Sequence, residues 1–292
     1  MRPSPSESAP ARHIAGNTLW SLLGFAVPTA VTLVSAPIYL HYLGDRIFGL
    51  WTLCIAILAF TGILNLSLGE STTTLVAAVP EGQASPDVTR IVVAALAVFG
   101  VLGLVAMGAL AWCSRPIAES ILGLEGEEAR LAADALRVVS LGVVPTVLFT
   151  VGAGVFDGFQ RFRVSQTWVM GRATLGFLAG WAALWSGHGL HGLVVTTVSV
   201  TWLTALGSIA FVARGLARVP LSELAVVATC RRLLGFGMFS ALTSIGTLAI
   251  GQVDKLVVGS VLGLEAVALY ALAQGLASKI HQIAIAAGRV LM

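Results

Sequence analysis

Charge is what this sequence has least of. Lys, Arg, Asp and Glu make up 11% of its 292 residues, where a soluble domain carries about 25%. So few charges cannot clothe a water-facing surface of this size, which excludes a water-soluble globular protein. Cysteine is sparse as well. Cys54, Cys113 and Cys230 are far apart, odd in number and without metal-ligand spacing, so neither a disulfide framework nor a metal cluster is implied. The formal charge of +3 is spread along the chain and forms no basic face, so nucleic acid is not an expected partner. No strand precedes the glycines at Gly100 and Gly103 or at Gly235 and Gly237, which removes the nucleotide-binding reading. The longest polar loop, 114–136, holds no evident acid/base pair, so enzymatic chemistry and a cofactor are not expected.

What is abundant is apolar surface: 57% of residues, a mean hydropathy of +0.92, and 32 glycines of the kind that let helices pack closely in lipid. A helix needs about 20 apolar residues to cross roughly 30 Å of hydrocarbon. Seven stretches meet or approach that length: 16–40, 47–68, 89–112, 137–156, 166–186, 191–212 and 233–253. An eighth, 264–286, holds Lys279 and His281. The class expected is an all-α membrane protein. Residues 1–13 read as a disordered cytoplasmic tail, 14–213 as a six-helix lobe, 214–232 as a cytoplasmic linker and 233–292 as the start of a second lobe. The acidic, amphipathic segment 114–136 is expected at the membrane interface. Pro28, Pro37 and Pro145 fall inside spans and are expected to kink them.

Basic residues orient the spans. With the N-terminus inside, the inner segments hold nine arginines: Arg2, Arg12, Arg90, Arg161, Arg163, Arg214, Arg218, Arg231 and Arg232. The outer segments hold five basic residues against eight acids. This bias places the N-terminus on the cytoplasmic side. An internal repeat is the strongest organisational signal. The stretch from Tyr42 to Trp51 matches that from Val261 to Tyr270 at a constant offset of 219, and the same offset aligns Gly16 with Gly235, Trp20 with Phe239 and Ser21 with Ser240. Repeated halves are characteristic of secondary transporters, whose substrate site lies between them.

Four stretches carry a family resemblance: Pro37 to Gly44 running into Phe48 to Trp51; Leu64 to Gly69; Gly158 to Phe162; and Leu234 to Gly237 followed by Asp254 to Gly263 and Tyr270. From about residue 14 onward the chain resembles the polysaccharide (O-antigen) flippases of the multidrug/oligosaccharidyl-lipid/polysaccharide exporter superfamily. The resemblance implies two six-helix lobes around a cavity that opens alternately to each side. Here it implies the first lobe and the first two helices of a second, pseudo-symmetric one, a truncated form of the fold. It also implies the cargo: an undecaprenyl-diphosphate-linked oligosaccharide for lipopolysaccharide, capsule or exopolysaccharide synthesis. Membrane lipids are expected partners, with a polysaccharide polymerase and chain-length proteins as further ones. The alternatives are a multidrug exporter of the same superfamily, a membrane glycan polymerase or ligase, and a non-functional fragment.

A flippase forms no covalent bond; its difficulty is moving a diphosphate and a polar glycan through a low-dielectric zone. Arg172, about six residues into the fifth span, is the leading candidate for phosphate contact, against the reading that it snorkels to the cytoplasmic interface. Asp254 and Lys255, beside Gln252 at the end of the seventh span, are candidates for ion coupling or simply mark the membrane boundary. Glu70, where the second span ends, could titrate during transport or sit at the interface. Arg161 and Arg163 could meet the diphosphate or act only as topogenic charge, and Arg46 reads as a solvated outer charge. His188 and His191 have ligand spacing but no third ligand nearby, so no metal site is expected.

Overall fold

A computed structural model describes residues 5–60, 62–79, 85–217, 229–230, 232–233, 235, 246 and 252–291. The linker core 218–228 and most of the seventh span, including Phe239 and Ser240 of the repeat, lie outside the described residues. Among the described residues every regular element is helical. Eight helices are named here: α1 (Pro5–Phe60), α2 (Gly62–Ala77), α3 (Pro86–Trp112), α4 (Gly126–Ser140), α5 (Val143–Gly158), α6 (Phe162–Trp185), α7 (Gly189–Ala213) and α8 (Leu264–Leu291). Residues 252–262 are helical as well. Four stretches are long and apolar enough to cross a membrane: Leu19–Ala59, Pro86–Trp112, Gly126–Gly158 and Gly189–Ala213. The protein is a multi-pass membrane protein.

Helix ends follow local chemistry. Ser85 caps α3 by accepting from the Asp87 N–H, with Pro86 at the first helical position, where its missing N–H costs nothing. Inside α1 the backbone leaves helical geometry at Gly44 (φ 73°, ψ 166°), which separates the first two spans. Pro28 and Pro37 keep helical backbone angles, so neither breaks α1. Pro145 occupies the first turn of α5, where proline is tolerated, because the helix begins at Val143 rather than at the expected 137.

Several expected boundaries move. Helix α1 begins at Pro5, within the segment read as a tail. The second span does not end at Gly69; α2 continues to Ala77, placing Glu70 inside a helix. Asp254 and Lys255 likewise stand inside the helical residues 252–262, which stop at Gly263 (φ 85°). The segment 114–136 divides into a π-helical turn (Ile117–Ile121) and α4. One face of α4, with Ala129, Ala132, Ala133, Leu136 and Val139, is buried in the main core, while Arg130 and Asp134 stay exposed. Between α4 and α5 the freed Leu141 carbonyl accepts from Trp202 Nε1 at 3.1 Å.

Helix α1 packs against α6 and α8, α6 against α7, and α5 against α2, α3 and α7. The α2–α5 contact is made by small residues four apart. A Cβ on Gly154 would lie 3.0 Å from the Gly69 carbonyl oxygen, and one on Gly158 would lie 2.9 Å from that of Thr73. Thr73 Oγ1 donates across this seam to the Gly154 carbonyl at 3.2 Å. Between helices that gain no hydrophobic driving force from lipid, such close backbone approach supplies the association energy.

Candidate functional site: a polar cavity between α1, α6 and α7

A cavity of about 270 Å³ opens where α1, α6 and α7 meet. Helix α1 contributes Thr32, Ser35, Tyr39 and Trp51; α6 contributes Arg172, Gly176 and Phe177; α7 contributes Thr197 and Thr201. The only charged side chain in this lining is Arg172. Its Nη2 donates to Thr146 Oγ1 of α5 at 3.2 Å, and its guanidinium carbon stands 4.9 Å from the centre of the Phe149 ring. Because α6 starts at Phe162, Arg172 lies ten residues along it, about 15 Å. Both of its contacts point into the lobe.

The hydroxyls around it are already committed as donors. Thr32 donates to the Pro28 carbonyl, Ser35 to Thr32, Thr197 to Leu193 and Thr201 to Thr197, at 2.7–3.1 Å. Each oxygen therefore keeps only its accepting lone pairs for a guest. The walls thus divide by chemistry: Arg172 offers donors, and the Ser and Thr oxygens offer acceptors. Tyr39 is held by a 3.4 Å hydrogen bond from its hydroxyl to the Phe177 carbonyl. Gly180 is required there, since a Cβ would come within 2.6 Å of that hydroxyl.

The other sequence candidates sit elsewhere. Asp254 is the centre of a second polar cluster. Its Oδ2 accepts from Tyr270 Oη at 2.5 Å and from Gln274 Nε2, and its Oδ1 accepts from the Lys255 N–H at 2.8 Å. Lys255 Nζ donates to Gln252 Oε1 at 3.1 Å. This cluster ties the helical residues 252–262 to α8, and sequence spacing gave no hint of Gln274. Arg46 is not merely solvated: its Nε pairs with Glu128 Oε1 of α4. Arg163 stacks over Trp20 at 5.3 Å, while Arg161 is exposed at the start of α6. Glu70 is exposed on α2. None of these four lines the cavity. Asp157, in the last turn of α5, was not singled out from sequence because it fell just past the expected span; its Oδ1 is buried with no hydrogen-bond partner. Among the described residues no group of three His, Cys, Asp or Glu could hold a metal ion.

Residues 14–292 match the family described as polysaccharide biosynthesis protein. The chain belongs to that family. A Shigella flexneri protein named for O-antigen transport is 34% identical over 58 residues, a stretch covering 20% of this chain and 14% of that relative. The chain is also similar in fold to solved transporter structures. A MATE transporter in complex with MaD3S aligns with a TM-score of 0.69 at 19% identity, over 96% of this chain and 70% of that one. A MOP superfamily transporter from Pyrococcus furiosus, described as having a binding pocket of reverse polarity, aligns with a TM-score of 0.69 at 19% identity, over 96% and 69%. The fold is therefore that of the MOP superfamily transporters, as the sequence resemblance implied.

Proposed function

We propose that this family member translocates an undecaprenyl-diphosphate-linked oligosaccharide across the cytoplasmic membrane, with Arg172 contacting the diphosphate. The observation that carries the reading is the placement of Arg172 as the one charged residue in the lining of the α1/α6/α7 cavity. An arginine in the middle of a span costs about 2.5–3.5 kcal/mol on insertion scales, a cost that a structural position would not need to bear. Thr146 and Phe149 offset part of it and fix the guanidinium plane. A diphosphate is acceptor-only and matches the guanidinium fork. Sugar hydroxyls can donate to the Ser and Thr oxygens opposite. In this reading the Asp254 cluster is where a coupling cation acts, since a cation there would compete with Tyr270 and Gln274 for the carboxylate.

Among the superfamily's cargoes, a cationic drug fits this cavity poorly because its lining offers no carboxylate and one fixed positive charge. Replacing Arg172 with Ala in the gene-encoded protein should abolish surface display of the glycan without altering membrane insertion, and Arg172→Lys should restore only part, since an ammonium keeps the charge and loses the fork. Normal display from Arg172→Ala would refute the assignment.

A further inference from the structure

Helices α1 and α6 run side by side in the same direction. Arg163 of α6 stacks over Trp20, a Cβ on Gly24 would meet the Gln166 side chain, and Tyr39 bonds the Phe177 carbonyl, so contacts climb together along both helices. Helix direction therefore orders the cavity lining. Arg172 comes first, and Phe177 follows five residues later, about 7.5 Å nearer the Gly44 corner. Tyr39 stands five residues before that corner and Trp51 seven residues after it, so both belong to the same end of the cavity.

That end is aromatic. Tyr39, Trp51 and Phe177 border the cavity and pack into one cluster. The Tyr39 and Phe177 ring centres are 6.2 Å apart. Trp181, one turn further along α6, lies parallel to Phe177 within 8° at 6.5 Å. Trp51 and Phe177 are only partly buried, which leaves part of each ring for a guest. Contacts to a diphosphate or to hydroxyl groups make no use of these rings.

Sugar rings have the matching chemistry. A pyranose carries hydroxyls around its rim and C–H bonds on its faces, and such C–H bonds pack against the negative face of an aromatic ring. On the reading that Arg172 takes the diphosphate, we propose that the first sugar, the one bonded to that diphosphate, seats against Tyr39, Trp51 and Phe177. The P–O–P–O linkage to a first sugar covers the roughly 7.5 Å of helix axis between Arg172 and Phe177. Rim hydroxyls of the seated sugar donate to Thr197 and Thr201, whose oxygens line the α7 wall with free lone pairs. The cargo is thereby held in one direction, sugar toward the Gly44 corner and diphosphate away from it. Because every pyranose has a C–H face, this contact reads the presence of a sugar rather than its identity.

The test measures binding of two probes to the purified gene-encoded protein by thermophoresis: undecaprenyl diphosphate, and undecaprenyl diphosphate bearing one N-acetylglucosamine. The native protein should bind the sugar-bearing probe more tightly. Phe177→Leu should lose about fivefold of that preference while binding the sugar-free probe as before, which also shows that the variant is folded. The Tyr39 hydrogen bond survives in it, because the acceptor is the Phe177 backbone carbonyl. Phe177→Tyr keeps a ring and should keep the preference. Arg172→Ala should weaken both probes alike; if it weakens neither, the diphosphate reading fails and the orientation with it. With the Arg172 effect present, an undiminished preference in Phe177→Leu would overturn the sugar seat alone. Equal weakening of both probes by Phe177→Leu would do the same, by assigning the rings to the polyprenyl chain.

Discussion

Asp254 gathers three donors onto two oxygens, among them Tyr270 Oη at 2.5 Å. A hydrogen bond to an ionised acceptor is worth more than a neutral one, but this group is only partly buried, so Tyr270→Phe should cost about 1 kcal/mol. The expected readout is a lower thermal midpoint in detergent, with Gln274→Leu behaving alike and the double variant costing less than the sum because both bonds share one oxygen. A strictly additive pair would show that the two donors act independently. At this scale the sequence was partly readable. The rarity of charge inside apolar runs exposed Arg172 and Asp254, because a charged residue in a span needs a reason. Tyr270 stands out only through the repeat and the family-like stretch around it, and Thr146, Phe149 and Gln274 do not stand out at all. Their significance comes from helices packing side by side, and a hydroxyl or an amide in a span costs too little to stand out.

Elements were more legible than residues, since hydropathy marks spans directly, yet their ends shifted wherever polar residues continued a helix. Arg163 and Ser165 belong to the first turn of α6 although the expected span starts after them, at 166. Glu70 and the threonines after it extend α2, with Thr73 and Thr74 bonding back to carbonyls four residues earlier. Two of the breaks lie at positive-φ glycines, Gly44 and Gly263. Gly44 at φ 73° and ψ 166° occupies a region that is essentially glycine's alone. A Cβ there meets nothing within 4 Å, so the cost of Gly44→Ala is purely conformational, about 1–3 kcal/mol. Gly100, also with open space around its Cβ position but inside α3, provides the contrast. Gly100→Ala should stabilise by about 0.5–1 kcal/mol through lost unfolded-state freedom. Thermal unfolding should therefore move in opposite directions for the two substitutions; a shift of the same sign would mean that the corner at Gly44 is not set by its backbone angles.

The two glycine corners relate the halves of the molecule. Gly44 and Gly263 are 219 residues apart, the offset of the sequence repeat, and both carry positive φ, 73° and 85°. Each repeated stretch thus turns at a positive-φ glycine, and the residues after Gly44 pack against those beside Gly263. A Cβ on Gly49 would lie 2.0 Å from the Leu264 carbonyl oxygen, and one on Gly259 would lie 3.0 Å from Leu53 Cδ1. Leu50, Leu53, Leu264 and Val267 share one core cluster around this contact. Alternating access requires lobes that separate at one end while holding at another. A glycine-lined backbone contact can hold without side-chain rearrangement. A backbone carbonyl cannot swing aside for a methyl group, so Gly49→Ala must push the halves apart here while leaving each corner's own geometry intact. Cysteines placed at Leu53 and Gly259 on a background with Cys54, Cys113 and Cys230 removed should form a disulfide on oxidation, because the Leu53 side chain reaches to 3.0 Å from the Gly259 Cβ position. Adding Gly49→Ala should lower that yield severalfold, whereas Gly108→Ala, at a site with nothing near its Cβ position, should leave it unchanged. Equal yields in both backgrounds would mean that the halves meet through side chains alone and that the close approach at Gly49 is not what holds them.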